Sequence, residues 1–229
     1  MKTKKIIAFN LVLILLSSCG NNNLDNKPED KKTNKGHDHV LMEESHKEMD
    51  KVEESQKQYE AIQDKFAHQD IIILEMPYQV EAAENENFKN VISAYIVLKN
   101  LFIEEDLNKI NKAISNMKDK VNKVSGDLMK NEGAKTWNQH AKLYNRILDE
   151  MEYIDALEDK RSYFSHISEI VYCTIKSFGF TNNQKLYATY CPMAFDGKGA
   201  YWVSETKEIE NPYFGSKMLK CGEIEETMN

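Results

Sequence analysis

Ile110, Ile114, Met117, Val121 and Val124 recur at alternating steps of four and three residues. That spacing lays apolar side chains along one face of an α-helix, and such a face must be buried against partners. The same period appears three more times. Phe88, Val91, Ile92, Tyr95 and Phe102 fall on one stripe, Trp137, Ala141, Tyr144, Leu148 and Met151 on another, and Phe164, Ile167, Val171, Thr174 and Phe178 on a third. Asp106 reads as the N-cap of the second segment and Gly179 as the C-cap of the last, while Gly126 and Gly133 punctuate the connection between the second and third. Four amphipathic segments with short connections predict an all-α chain, an antiparallel four-helix bundle starting near residue 82. The chain is 41% hydrophobic, enough for such a core, and its 9 glycines and 4 prolines exclude a fibrous or wholly disordered polymer.

The chain opens on a basic stretch, Met1 to Lys5, followed by an apolar run from Ile6 to Leu16 broken only by Asn10. The run is shorter than the about 20 apolar residues needed to cross a bilayer core, so it reads as the hydrophobic region of a secretory signal. It ends Leu16-Ser17-Ser18-Cys19, which resembles a bacterial lipobox: a large aliphatic residue, two small residues and a cysteine. The resemblance implies cleavage after Ser18 and lipidation (palmitate-type acylation) of Cys19. Loss of Lys2, Lys4 and Lys5 with residues 1–18 takes the net charge from −7 to −10. The expected location is the cell envelope, anchored to a membrane by acyl chains and facing the periplasm. Gly20 in place of a retention Asp favours the outer membrane.

Residues 19–36, rich in Asn, Asp and Lys, read as the lipidated cysteine and a flexible tether. Residues 37–81 form a polar, partly helical segment with a thin apolar face (Val52, Tyr59, Ile62, Phe66) and a short apolar run, Ile71 to Leu74, readable as a strand or as a segment packed on the body. His37, His39, Met42, His46 and Met49 make a His/Met tract of the composition seen in low-affinity copper sites, a candidate secondary metal site; a solvated tether that happens to contain His is the alternative. Residues 82–229 are expected to be the bundle with a C-terminal sulfur-bearing segment.

After Gly179 the helical period stops. Tyr187, Tyr190, Phe195, Tyr201, Trp202, Tyr213 and Phe214 crowd a Gly- and Pro-punctuated stretch, and Leu186–Met193 with Ala200–Ser204 suggest a small β-hairpin around Asp196-Gly197-Lys198-Gly199. Two phrases there hold sulfur: Cys191-x-Met193 and Met218-x-x-Cys221. Thiolate and thioether are soft donors that favour Cu(I) or a similar soft ion over zinc, which rarely takes Met. The same two cysteines, flanking a 29-residue gap in a chain expected to lie outside the cytoplasm, equally suit a disulfide worth ~2–4 kcal/mol, with Met193 and Met218 as packing residues. Cys173 reads as a buried inert thiol, and His140 and His166 as packing or surface residues.

Read whole, Tyr190-Cys-Pro-Met-Ala, Gly199-Ala-Tyr-Trp202, Asn211-Pro-Tyr-Phe-Gly215 and Met218-Leu-Lys-Cys-Gly222 resemble the signature of the family catalogued as domain of unknown function 3347. Tyr95 to Leu98 and Arg161-x-x-Phe164-x-x-x-Ser168 are similar as well, and the resemblance spans about residues 84–225. Members of that family occur as secreted or lipid-anchored proteins and fused to periplasmic adaptor subunits of copper/silver-type efflux pumps. The resemblance implies a role in heavy-metal handling, with a heavy-metal efflux adaptor as partner and Cys191, Met193, Met218 and Cys221 as metal ligands. The rival expectation is a structural or interaction lipoprotein stapled by Cys191–Cys221 that binds a protein partner.

Other classes are disfavoured. The acidic balance and the lack of a Lys/Arg stripe argue against nucleic acid. No phosphate loop, haem motif, nucleophile elbow or acid–base pair of carboxylates stands out, so neither an enzyme nor a small-molecule substrate is expected.

Overall fold

The structure is a computed structural model and describes residues 62–179 and 184–228. The signal, the lipobox Cys19, the tether and the tract His37, His39, Met42, His46 and Met49 lie outside the described residues.

Four long helices follow one another: α1 (Ala82–Glu104), α2 (Leu107–Val121), α3 (Asn131–Glu152) and α4 (Leu157–Phe178). Each consecutive pair packs together, and α1 also touches α4. The apolar stripes read from the sequence face this packing: every stripe residue is buried except Ala141, which is half-buried. Asp106 caps α2 as its position suggested, its carboxylate accepting from the Lys109 N–H at 3.1 Å. Gly179 ends α4 at φ 60°, a conformation in which a Cβ is strained.

α4 is covered on almost every side, by α3 and by a strand of the C-terminal sheet among others. Its buried polar positions therefore need internal partners. Ser168 and Thr174 donate back to Phe164 O (3.0 Å) and Ile170 O (2.7 Å). Their oxygens also meet the Tyr95 hydroxyl at 2.9 Å and the Tyr144 hydroxyl at 3.0 Å. The Tyr95 hydroxyl in addition accepts from Val203 N at 2.9 Å, so one fully buried oxygen joins α1, α4 and the sheet. Tyr95→Phe leaves the Val203 N–H without its acceptor and is expected to cost about 1–3 kcal/mol. Urea denaturation of the two proteins measures it, and equal midpoints would show that the hydroxyl is dispensable.

The expectation of an all-α chain needs correction. Beyond α4 lies a three-stranded antiparallel sheet of β1 (Leu186–Cys191), β2 (Ala200–Ser204) and β3 (Glu223–Met228), ordered β2-β1-β3. The β1–β2 hairpin runs from Tyr187 opposite Ser204 to Cys191 opposite Ala200, where the sequence placed it. Its turn includes a short helical stretch, α5 (Ala194–Gly197), in which Phe195 and Asp196 both take left-handed conformations. Gly199 follows at φ 80°, its Cα against the Tyr190 ring, where any Cβ would stand 2.0 Å from the Tyr190 hydroxyl. β3, Glu-Ile-Glu-Glu-Thr-Met, carries three carboxylates and no apolar run, so its sequence gives no strand signal. Charged side chains are what an edge strand uses against unwanted pairing. One of them, Glu226, is buried and accepts from the Tyr172 hydroxyl (2.6 Å) and from Lys176 Nζ (2.8 Å) on α4.

The run Ile71 to Leu74 forms no strand; it lies along α3 and α4. Ile72 N donates to Gln139 Oε1 (2.8 Å), Gln139 Nε2 to Asp70 O (2.9 Å), and Leu74 N to Ser177 Oγ (3.2 Å). Ile62, Phe66 and Ile71 are buried in the same core. No helix among the described residues is long and apolar enough to cross a membrane.

Candidate functional site

The antiparallel register of β1 and β3 pairs Tyr190 with Glu223. Continued one step beyond the end of β3, it carries the chain before Glu223 past Cys191. The two thiols meet there, Cys191 Sγ and Cys221 Sγ lying 3.0 Å apart. Cys191 is fully buried and Cys221 partly exposed.

The phrase around Cys221 is held by Asn211, itself fully buried. Asn211 Nδ2 donates to Cys221 O (2.7 Å), its N–H to Leu219 O (2.8 Å), and its Oδ1 accepts from Tyr213 N (2.8 Å). Three of its polar groups are thus used to shape one loop. The Tyr213 hydroxyl donates to Tyr201 O across to β2, and its ring packs among Phe164, Phe195 and Trp202. The aromatic crowding seen in the sequence is therefore the wall behind the cysteine pair.

The methionines are placed differently. Met193 is 55% and Met218 38% exposed. Both line an open groove of about 600 Å³ with Phe195, Tyr213, Phe214 and Glu158. The structure thus brings the cysteines together at the rim of the sheet and sets the two thioethers on one neighbouring groove. The hydrogen bond with Cys191, followed by partial burial, pushes the Cys221 thiol up to about 11. The ordinary thiol value is about 8.5, so at neutral pH a reduced Cys221 holds its proton and a metal must displace it.

Cys173 is buried in α4, and desolvation holds its thiol well above its ordinary value, as an inert packing residue requires. His140 is likewise a core residue: its ring nitrogens meet Thr174 Oγ1 (3.0 Å) and Ile72 O (2.8 Å).

A second cluster was not foreseen. His166 and Glu169, three residues apart on one face of α4, stand beside His68 of the segment before α1. Their donor atoms lie within 4.8 Å of one another. The two imidazole rings are 4.6 Å apart between centroids. Burial, followed by the nearby His166, holds the His68 imidazole below its ordinary value. The sequence reads His166 as a packing or surface residue and gives His68 no role. Nothing in the spacing links positions 68 and 166; only the packing of residues 62–74 on α4 does.

Residues 91–183 match the model of the family described as Protein of unknown function (DUF3347), the family indicated by resemblance. The matched residues run from within α1 past the end of α4; the phrases holding Cys191 and Cys221 lie beyond them. No curated protein and no solved structure matches the chain.

Proposed function

We propose that this chain is a lipid-anchored protein of the cell envelope that binds a soft ion of the Cu(I) type at Cys191 and Cys221. The observation that carries the reading is the 3.0 Å contact of these two sulfurs. A pair of thiols this close, deprotonated on loading, held by a buried asparagine and backed by aromatic rings, is a soft-donor site built on a rigid support. The partly exposed Cys221 offers the ion a way in, and the exposed thioethers of Met193 and Met218 on the adjoining groove serve as capture ligands. The four long helices act as an antiparallel four-helix bundle, the scaffold for the sheet. Acyl chains on Cys19 hold the protein to the outer membrane, the tether lets it reach a heavy-metal efflux adaptor, and His37, His39, Met42, His46 and Met49 collect metal for the site. No catalytic step is assigned.

Competition of the reduced, anaerobic protein against a chromophoric Cu(I) chelator tests this. One Cu(I) per chain is expected at the cysteine pair, lost in the Cys191→Ser/Cys221→Ser variant. Because loading displaces at least the Cys221 proton, affinity should rise by at least about tenfold per pH unit through neutrality. No uptake by the wild-type protein, or equal uptake by the variant, would end the proposal.

The same 3.0 Å contact favours one other reading, a disulfide staple in an interaction protein. An envelope thiol oxidase would take two electrons and two protons from the pair as the S–S bond forms. Non-reducing peptide mapping separates the two: a linked 191–221 peptide in protein taken straight from the envelope supports the staple, and two free thiols support the metal site.

A further inference from the structure

We propose that His68, His166 and Glu169 form a site for a divalent transition ion of the Zn²⁺ type, which clamps the segment before α1 onto α4. This site is separate in place and in chemistry from the sulfur pair.

Three observations converge on it. First, the Nδ1 atom of His166 is buried from water and has no hydrogen-bond partner among the described residues. A buried polar atom left in that state needs an explanation, and a bound ion is one. Second, Glu169 Oε2 lies 3.8 Å from it. That is too long for a hydrogen bond. It lies inside the about 4.2 Å that can separate two donors each bound at about 2.1 Å to one ion. Third, the carboxylate is oriented from behind. Glu169 Oε1 accepts from Ala67 N at 2.8 Å and Oε2 from His68 N at 3.2 Å, so the backbone that delivers the His68 ring also fixes the carboxylate. Ligating carboxylates are ordinarily pinned in this way by hydrogen bonds outside the metal.

The donors lie within 4.8 Å of one another, so closing on an ion requires side-chain movement of about 1 Å. Two imidazole nitrogens and one carboxylate oxygen are borderline-to-hard donors. They suit Zn²⁺ or Cu²⁺ and not the soft Cu(I) of the cysteine pair. Three protein ligands leave a tetrahedral ion one position for water. Asp70 and Arg146 also act on His68, with opposite signs, so the charge around the ion is set chiefly by Glu169.

Zn²⁺ is the probe. The full chain carrying Cys191→Ser and Cys221→Ser, in which the sulfur site is silent whether or not the native pair binds metal, is titrated with Zn²⁺ against a chromophoric chelator. One tightly bound Zn²⁺ per chain is expected, apart from weak binding by the tract of His37, His39 and His46, with a rise in Tm on loading. His166→Gln should weaken binding by at least about 100-fold, the upper end of what loss of a mere supporting partner costs. It should leave the metal-free Tm close to wild type, because the His166 side chain is 28% exposed. His68→Gln should weaken binding to the same degree. Co²⁺ loaded in place of Zn²⁺ should show the visible d–d bands of a four-coordinate site. No Zn²⁺ bound by the Cys191→Ser/Cys221→Ser chain, or full affinity retained when either His166→Gln or His68→Gln is added to it, would overturn the assignment.

Discussion

Arg161→Met is expected to destabilise the fold by about 3–5 kcal/mol, the range for stripping one partner from a buried ionic network. The guanidinium is 1% exposed and acts in several directions at once. Nε donates to Pro212 O at 3.0 Å, Nη2 to Glu105 Oε1 at 2.9 Å, and Nη1 to Glu158 Oε1 at 3.0 Å. It therefore ties the end of α1 to α4 and to the Asn211–Gly215 loop that shapes the cysteine site. Its hydrogen bond holds the Glu105 carboxyl below the usual carboxylate range. Gly215, at φ 54°, belongs to the same design: a Cβ there would sit 2.7 Å from Glu105 Cδ and 2.8 Å from Arg161 Nη2. Methionine keeps most of the packing volume but abandons a buried carbonyl and a carboxylate together. Glu158→Ala is the control, since that carboxylate is 65% exposed and an ion pair so placed contributes at most about 1 kcal/mol. Urea denaturation of the three proteins reads the result. Equal losses for Arg161→Met and Glu158→Ala would mean that the surface pair, and not the buried fork, holds the loop.

Lowering the pH from 7 to 4 is expected to remove about 3 kcal/mol of stability through His140 alone. Burial lowers this imidazole from its ordinary 6.5 to about 4 in the folded chain. The unfolded chain therefore binds the proton first. The contribution is fully present above pH 6.5 and is lost progressively as the pH falls toward 4. The 2.5-unit gap at 1.36 kcal/mol per unit sets the size. Carboxylates titrate in the same window, so the readout is a difference: stability against pH for the wild type minus that for His140→Gln. The variant should be less stable at pH 7, having lost bonds to Thr174 and Ile72, and its curve should be flatter between pH 6.5 and 4. An NMR titration midpoint for His140 near 6.5 in the folded protein would refute the account.

These residues also show how much was legible beforehand. The helical stripes could be read because burial of an amphipathic helix depends on a period of a few residues, and that period is written locally. The Asp106 cap, the Gly179 stop and the β1–β2 hairpin are local for the same reason. β3 was missed because its signal is not local: six residues with three carboxylates become a strand only through pairing with β1, about 30 residues upstream. The cysteine pair was anticipated as a pair from its two flanking phrases. The separation of the paired thiols from the exposed thioethers was not, because it depends on how the chain turns around Phe195 and Asp196.

By itself, then, the sequence determined the four helices, their buried faces and the nomination of Cys191 and Cys221, since each rests on spacing within a turn or two, or on side-chain chemistry. Tertiary structure decided that Arg161 and His140 lie inside, that Glu226 is bonded and not a surface charge, and that His68 meets His166 and Glu169. Those outcomes join residues from distant parts of the chain, and only a packed core can select them.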